Sequence, residues 1–175
     1  EYQIPVLYIT HAPAEVERLA DRIVFMQHGK VERIETLQQA LARADSPLFD
    51  EQGAVSVLRG QPGLVEQGLQ AIQLGEQALW VAPLASMQKQ DIRIRVLARD
   101  VSLALSDPHD LSIINHLKTT ISELIPQDDY RLLVRLKLED SQHLFAELTQ
   151  HSAQRLKLQP GLVVYALIKS VALAE

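Results

Sequence analysis

A histidine near the start of the chain is the first side chain that could do phosphate chemistry. His11 directly follows residues 6–10, a continuous apolar run whose length is typical of a strand buried on both faces. Pro13 stands where it favours the first turn of a helix. Ligands collect at the carboxyl ends of strands in open α/β sheets, so an imidazole at this point can donate a hydrogen bond to a phosphate oxygen. The alternative is a histidine that caps or packs against the helix.

A second group of polar side chains, in the last third of the chain, could hold a tetrahedral oxyanion. Hydroxyl, amide and amine donors near strand ends suit such anions, and backbone N–H groups at a helix start add to them. The candidates are Ser112, Asn115, Thr149, Ser152, Lys169 and Ser170. The alternative gives them structural roles, with Thr149 or Ser152 capping a short helix and Lys169 a solvated charge at a sheet edge.

The composition removes several other classes of site. The sequence has no cysteine, which excludes a disulfide framework, a thiolate zinc site and a cysteine nucleophile. Its six histidines include no His-x-x-x-His pair, so we expect no metal site. A net charge of −5 argues against nucleic acid as a partner. No Gly-x-x-x-x-Gly-Lys-[Ser/Thr] phosphate loop occurs in the sequence, so we expect no ATP hydrolysis by this chain alone.

The first 45 residues predict a short α/β unit. Apolar residues from Val16 to Ile23 lie at the spacing of one helix face. Residues 23–34 are predicted to form a hairpin around a turn at 28–30. A capping-box spacing then opens a helix that we expect to cover residues 36–44, and the Asp-Ser-Pro sequence at 45–47 ends it.

From about residue 54 the chain predicts short strands separated by turn residues. Residues 92–96 and 134–138 alternate strictly between apolar and polar, so Arg93 and Arg95 are expected to face solvent. Further strands are predicted at 54–58, 69–74, 78–81, 115–125, 144–148 and 162–169, with a turn at 60–63 and a short helix at 152–158. Such strands favour a small barrel that closes on itself. A weak recurrence between the halves of 54–170 is too degenerate to predict a repeat.

Residues 7–31 resemble the switch-histidine segment of ABC-transporter ATPases. The matching features are Thr10-His11 after an apolar run, Ala-Asp-Arg-Ile at 20–23 and Gly-Lys-Val at 29–31. By this resemblance, His11 would contact the γ-phosphate of ATP and help position the attacking water. ATP and Mg²⁺ would be held by the parent protein's own N-terminal nucleotide-binding core. The chain also begins without Met, directly before an apolar run, so we expect a piece of a longer protein.

The rest of the chain resembles the C-terminal part of molybdate-import ATP-binding subunits, which carries an OB-like Mop or TOBE barrel. The motifs are Ser-x-x-Asn-x-Leu, Thr-x-x-Ser, Leu-x-Pro-Gly and Ile-Lys-Ser, which begin at residues 112, 149, 158 and 168. The resemblance implies molybdate or tungstate as the ligand of the candidate residues. The family usually has an Arg at the position of Ile114. An Ile supplies neither charge nor donor, so a dianion would lose one charge-assisted contact.

Together the two resemblances predict an α+β, mainly β chain. Residues 1–45 would end an ABC ATPase domain, and residues 46–175 would form a Mop/TOBE-type barrel with its core at 110–175. The expected function is a regulatory or accessory segment, itself non-catalytic, of the ATP-hydrolysing subunit of a molybdate importer. The expected partners are the protein's own core, the membrane permease and a second copy through the barrel, at the cytoplasmic face of the cell membrane. The alternative is a stand-alone oxyanion-binding or dimerisation barrel.

Overall fold

The computed structural model describes residues 5–43, 45–49, 53–84 and 91–173. It is mainly β, as the sequence predicts, and its core draws on both of its large sheets. Among the helices in these described ranges, none has the length and apolar character needed to cross a bilayer.

The N-terminal unit consists of two short helices around a hairpin. Helix α1 spans Pro13–Leu19, strands β1 and β2 span Arg22–Gln27 and Lys30–Thr36, and helix α2 spans Leu37–Leu41. The predicted hairpin is confirmed, because β1 and β2 pair in antiparallel register around the turn. The predicted capping box is also confirmed, although α2 ends at Leu41; residue 44, the end predicted for this helix, lies outside the described residues.

The strand predicted over residues 6–10 is wrong. This segment has no regular secondary structure, and the side chains of Val6, Leu7 and Ile9 are exposed by more than four fifths. A strand that is apolar on both faces needs neighbours that cover it. No described strand of this chain pairs with these residues.

The rest of the described chain forms two five-stranded sheets. The first half contributes β3 (Val55–Glu66), β4 (Leu69–Leu74), β5 (Gln77–Val81), β6 (Ile92–Leu97) and β7 (Val101–Ala104). The second half contributes β8 (Asn115–Pro126), β9 (Arg131–Lys137), β10 (His143–Thr149), helix α3 (Gln150–Arg155), β11 (Val163–Ile168) and β12 (Ala172–Leu173). The predicted helix at 152–158 is thus present, two residues earlier than its predicted start.

The turn predicted at residues 60–63 is wrong, because β3 runs straight through it to Glu66. Gly60 is needed here for close packing. A Cβ at this position would lie 2.6 Å from the Ile72 side chain and 2.6 Å from the Gln73 carbonyl oxygen, both on β4. The glycine therefore lets β4 cross β3 closely, next to the bulge that follows Pro62.

The two sheets repeat one topology and exchange their outermost strands. The first sheet has the order β12-β6-β3-β4-β5, and the second has the corresponding order β7-β11-β8-β9-β10. In each sheet the first strand comes from the other half of the chain. The recurrence that is too weak in the sequence is therefore plain in the fold. The outer strands β7 and β10 of the second sheet also lie against each other, which gives that sheet the curled form of the predicted barrel.

Side-chain amides join the two sheets where backbone pairing stops. The Gln77 side chain accepts from Lys118 N at 2.6 Å and donates to Lys118 O at 3.0 Å. The Gln142 side chain does the same for the backbone of Arg59, at 2.6 and 2.8 Å. Each glutamine thus replaces a strand neighbour for one residue of the opposite sheet. This recurrence follows the pseudo-symmetry of the two halves.

Candidate oxyanion and phosphate-sensing residues

His11 is exposed and stands in a short turn that is fixed to α1. The Thr10 hydroxyl accepts a hydrogen bond from Ala12 N at 3.0 Å and donates to the Glu15 carboxylate. The Tyr8 hydroxyl reaches the same carboxylate oxygen at 3.3 Å. The bond from Thr10 is the main reason why the pKa of Glu15 lies below its usual value. The residues on both sides of His11 are therefore held by the first turn of the helix, while the imidazole stays accessible.

The other end of α1 rests on the barrel. Arg93 on β6 donates from Nη1 to the carbonyl oxygens of Glu17, Arg18 and Ala20 at 3.1, 3.0 and 3.0 Å. Its Nη2 donates to Asp21 Oδ1 at 2.7 Å, and Arg59 on β3 reaches the same oxygen at 3.0 Å. The last carbonyls of a helix have no partner within the helix, so a guanidinium at this point satisfies them and complements the helix dipole.

Arg95 completes this contact through a buried carboxylate. Its Nε donates to Glu17 Oε2 at 2.7 Å, and the Glu17 side chain is only 2% exposed. The expectation that Arg93 and Arg95 face solvent is therefore wrong. The alternation along β6 correctly places both on the face away from the barrel core. Helix α1 covers that face, and a contact across more than 70 residues of sequence leaves no local pattern.

Four of the six oxyanion candidates lie at one end of the second sheet. Asn115 begins β8 and pairs with Ile168 at the end of β11, so Lys169 and Ser170 follow at the end of the sheet that Ser112 approaches. Ser112, Lys169 and Ser170 are exposed and Asn115 is 6% exposed. Ile114, where the resemblance leads us to expect an Arg, has an exposed side chain.

Asn115 uses its amide to hold the sheets together. Its Oδ1 accepts from Trp80 N at 2.7 Å, and its Nδ2 donates to Trp80 O at 3.0 Å. It therefore anchors the start of β8 to β5 and fixes the point from which the 112–114 segment leaves the sheet.

His116 fastens the same segment from the other side. Its Nε2 lies 2.6 Å from Ile113 O and its Nδ1 lies 2.8 Å from Asp107 Oδ1. The ring thus ties the residues around Ser112 to β8. The sequence signal for this role is weak, because His116 lies inside a strand with no neighbouring ligand pattern.

Thr149 and Ser152 form the second group, at the opposite end of β8. Thr149 pairs with Arg131, which lies beside the Pro126 end of that strand. Thr149 is the N-cap of α3: its Oγ1 accepts from Ser152 N at 3.1 Å and donates to Ser152 Oγ at 3.0 Å. These hydroxyls therefore lie toward the other end of β8 from Lys169 and Ser170. In residues 5–43, 45–49, 53–84 and 91–173 no group of three His, Asp or Glu side chains could hold a metal ion.

Comparison with known proteins finds relatives that match almost the whole chain. The TOBE domain family model matches residues 111–174. The chain is 38% identical to the molybdenum import ATP-binding protein ModC of Aromatoleum aromaticum, covering 99% of this chain and 46% of the relative. It is 40% identical to ModC 2 of Azotobacter vinelandii, covering 100% and 49%, and 40% identical to ModC of Pseudomonas aeruginosa, covering 98% and 49%. The chain thus spans about half the length of the relatives it matches.

A solved structure supports the fold. The cytoplasmic molybdate-binding protein ModG, in a crystal form with molybdate bound, superimposes with a TM-score of 0.55 at 23% identity, covering 67% of this chain and 93% of ModG. At this identity the likeness shows the fold alone. The sequence relationships carry the family assignment: this chain is homologous to the C-terminal, TOBE-containing part of the molybdenum import ATP-binding proteins.

Proposed function

We propose that this chain is the regulatory segment of the ATP-binding subunit of a molybdate ABC importer, whose parent protein couples ATP hydrolysis to molybdate uptake. The observation that carries the proposal is the match of 98–100% of the chain to three molybdenum import ATP-binding proteins at 38–40% identity. The parent protein works at the cytoplasmic face of the membrane, against the permease subunits.

His11 is the one residue of this chain that we assign to the ATPase reaction. Its imidazole is exposed beyond a turn that Thr10, Ala12 and Glu15 hold, so it can donate to a phosphate oxygen brought to it. The sequence has no phosphate loop, so the nucleotide-binding core of the parent protein supplies the groups that hold ATP and Mg²⁺.

The exposed apolar segment 6–9 supports contact with that core. Val6, Leu7 and Ile9 are 81%, 86% and 91% exposed, an unusual state for three aliphatic side chains in a row of four. Strands of a nucleotide-binding core would cover both faces of this segment, as its composition requires.

A tetrahedral oxyanion is the ligand that we propose for the barrel. Ser112, Lys169 and Ser170 offer hydroxyl and ammonium donors at one end of β8, and Thr149 and Ser152 offer hydroxyls at the other. The two groups follow opposite ends of the 12-residue strand β8, so they are separate along that strand. We propose that a site drawing on both groups takes one group from each copy of a homodimer formed through the barrel.

A stand-alone binder or a ligand-free dimerisation barrel is the second candidate. The exposed Ile114 favours the ligand-free form, because the charge that the family usually supplies at this position is absent. Titration calorimetry of this chain with molybdate and with tungstate separates the two forms. A heat of binding that disappears in Lys169→Ala supports an oxyanion site. If no heat of binding is measured at millimolar anion, dimerisation is left as the role of the barrel.

The ATPase part of the proposal is tested with His11→Ala in the full-length subunit assembled with its permease. We expect phosphate release to fall on the order of a hundredfold, the scale of a lost acid–base or positioning group. His28→Ala is the matched control, because His28 is also an exposed histidine of the N-terminal unit. Unchanged turnover in His11→Ala would contradict the assignment.

A further inference from the structure

Strand β6 connects the barrel core to the helix that follows His11. Ile92, Ile94 and Val96 of this strand are buried in the core, and Arg93 and Arg95 alternate with them on the opposite face. Close packing fixes the buried side chains, so the two guanidinium groups cannot shift along the helix unless the strand moves with them.

Helix α1 is held at both ends, so a movement of its C-terminal end also moves its N-terminal end. Its C-terminal carbonyls and Asp21 are held by Arg93, and Glu17 is held by Arg95. The helix has seven residues, so it is roughly 10 Å long and too short to bend appreciably. At its N-terminal end, Glu15 holds Thr10 next to His11.

Strand β6 also meets the end of the chain that carries two oxyanion candidates. Ala172 of β12 pairs with Arg95, and Leu173 pairs with Ile94. Lys169 and Ser170 lie only two or three residues before Ala172 in the sequence. A displacement of residues 169–170 therefore acts on the edge of β6, at the residue that holds Glu17.

We propose that Arg93 and Arg95 are positioning residues that couple the state of the barrel to the placement of His11. Through α1 they set where the imidazole stands relative to a phosphate, and β12 links them to Lys169 and Ser170. This inference rests on the proposed function, because His11 meets a phosphate only in the ATP-binding subunit.

Amide hydrogen exchange of this chain tests the mechanical part. In Arg93→Ala we expect faster exchange in α1 and in residues 10–12, with the barrel strands unchanged, and a smaller effect in Arg93→Lys, which keeps the charge. The control is Arg135→Ala, which removes a 2.8 Å ion pair with Glu123 between β9 and β8 of the second sheet. Equal α1 exchange in Arg93→Ala and Arg135→Ala overturns the coupling.

Steady-state turnover of the full-length subunit with its permease tests the functional part. Displacing a positioned group by about 1 Å costs on the order of a hundredfold, so kcat should fall tenfold or more in Arg93→Ala and in Arg95→Ala, while KM for ATP is retained. Arg135→Ala should match the unmodified protein. If His11→Ala abolishes turnover and Arg93→Ala matches Arg135→Ala, the coupling alone is overturned. If His11→Ala has no effect, the proposed function falls and the coupling with it.

Discussion

At the scale of single residues, several side chains that resemble ligand groups work mainly as connectors. Asn115 and Thr149 both belong to the oxyanion motifs, yet Asn115 binds both backbone groups of Trp80 and Thr149 caps α3. Such roles use donors that a ligand would need, because the one hydroxyl proton of Thr149 goes to Ser152. They mean that a loss of binding in a variant must be separated from a loss of stability.

Asn115→Ala should destabilise the protein by roughly 1–3 kcal/mol, because it leaves the N–H and C=O of Trp80 without their partner at a half-buried position. Urea unfolding followed by Trp80 fluorescence measures the difference. Ser112→Ala is the matched control, since the exposed Ser112 lies in the same motif and its truncation should change stability by less than about 0.5 kcal/mol. Equal stability of the two variants would contradict the connector role.

His143 makes stability depend on pH. Burial, and then the neighbouring Arg135, lowers the pKa of His143 below the usual value of 6.5. The unfolded chain therefore binds the proton more tightly, so stability should fall as the pH drops through 6.5 toward the lower folded-state pKa. In His143→Gln the free energy of unfolding should depend less steeply on pH between about pH 7.5 and about pH 5.5. His109→Gln changes an exposed histidine and should keep the original slope; equal slopes in both variants would count against this origin.

At the scale of elements, local signals predict what local geometry decides. The hairpin of β1 and β2 follows from a turn whose residues His28 and Gly29 adopt φ of 50° and 75°, and α2 follows from its capping box. The pairing of β6 with β12 and the docking of α1 on β6 join residues more than 70 positions apart. Periodicity shows which face of β6 is polar, but the partner that covers this face depends on the tertiary fold.

At Gly60 the local sequence predicts the wrong structure. A glycine near a proline favours a turn, whereas here it permits the close approach of β4. Gly60→Ala should cost on the order of 1–3 kcal/mol, because its Cβ would overlap the backbone of Gln73 and the side chain of Ile72. Gly63→Ala, on the same strand, would meet its neighbours only at 3.3–3.4 Å and should be tolerated far better. Thermal unfolding compares the two variants, and a tolerated Gly60→Ala would contradict the close approach.

At the scale of the whole molecule, the exchange of β7 and β12 makes the two sheets one cooperative unit. Each sheet includes a strand from the other half, and one apolar cluster contains residues of both. We therefore expect a single unfolding transition, with equal calorimetric and van't Hoff enthalpies. The unfolding transition followed by Trp80 fluorescence, which reports on the first sheet, should coincide with the transition followed by far-ultraviolet circular dichroism. Separate transitions would show that the halves fold independently.

Transport itself tests the proposal that this chain belongs to a molybdate importer. The measurement is uptake of labelled molybdate into proteoliposomes that contain the full-length subunit and its permease, with and without internal ATP. We expect accumulation that requires ATP and disappears in His11→Ala but not in His28→Ala. Molybdate uptake that is independent of ATP, or absent in an assembled complex that hydrolyses ATP, would contradict it.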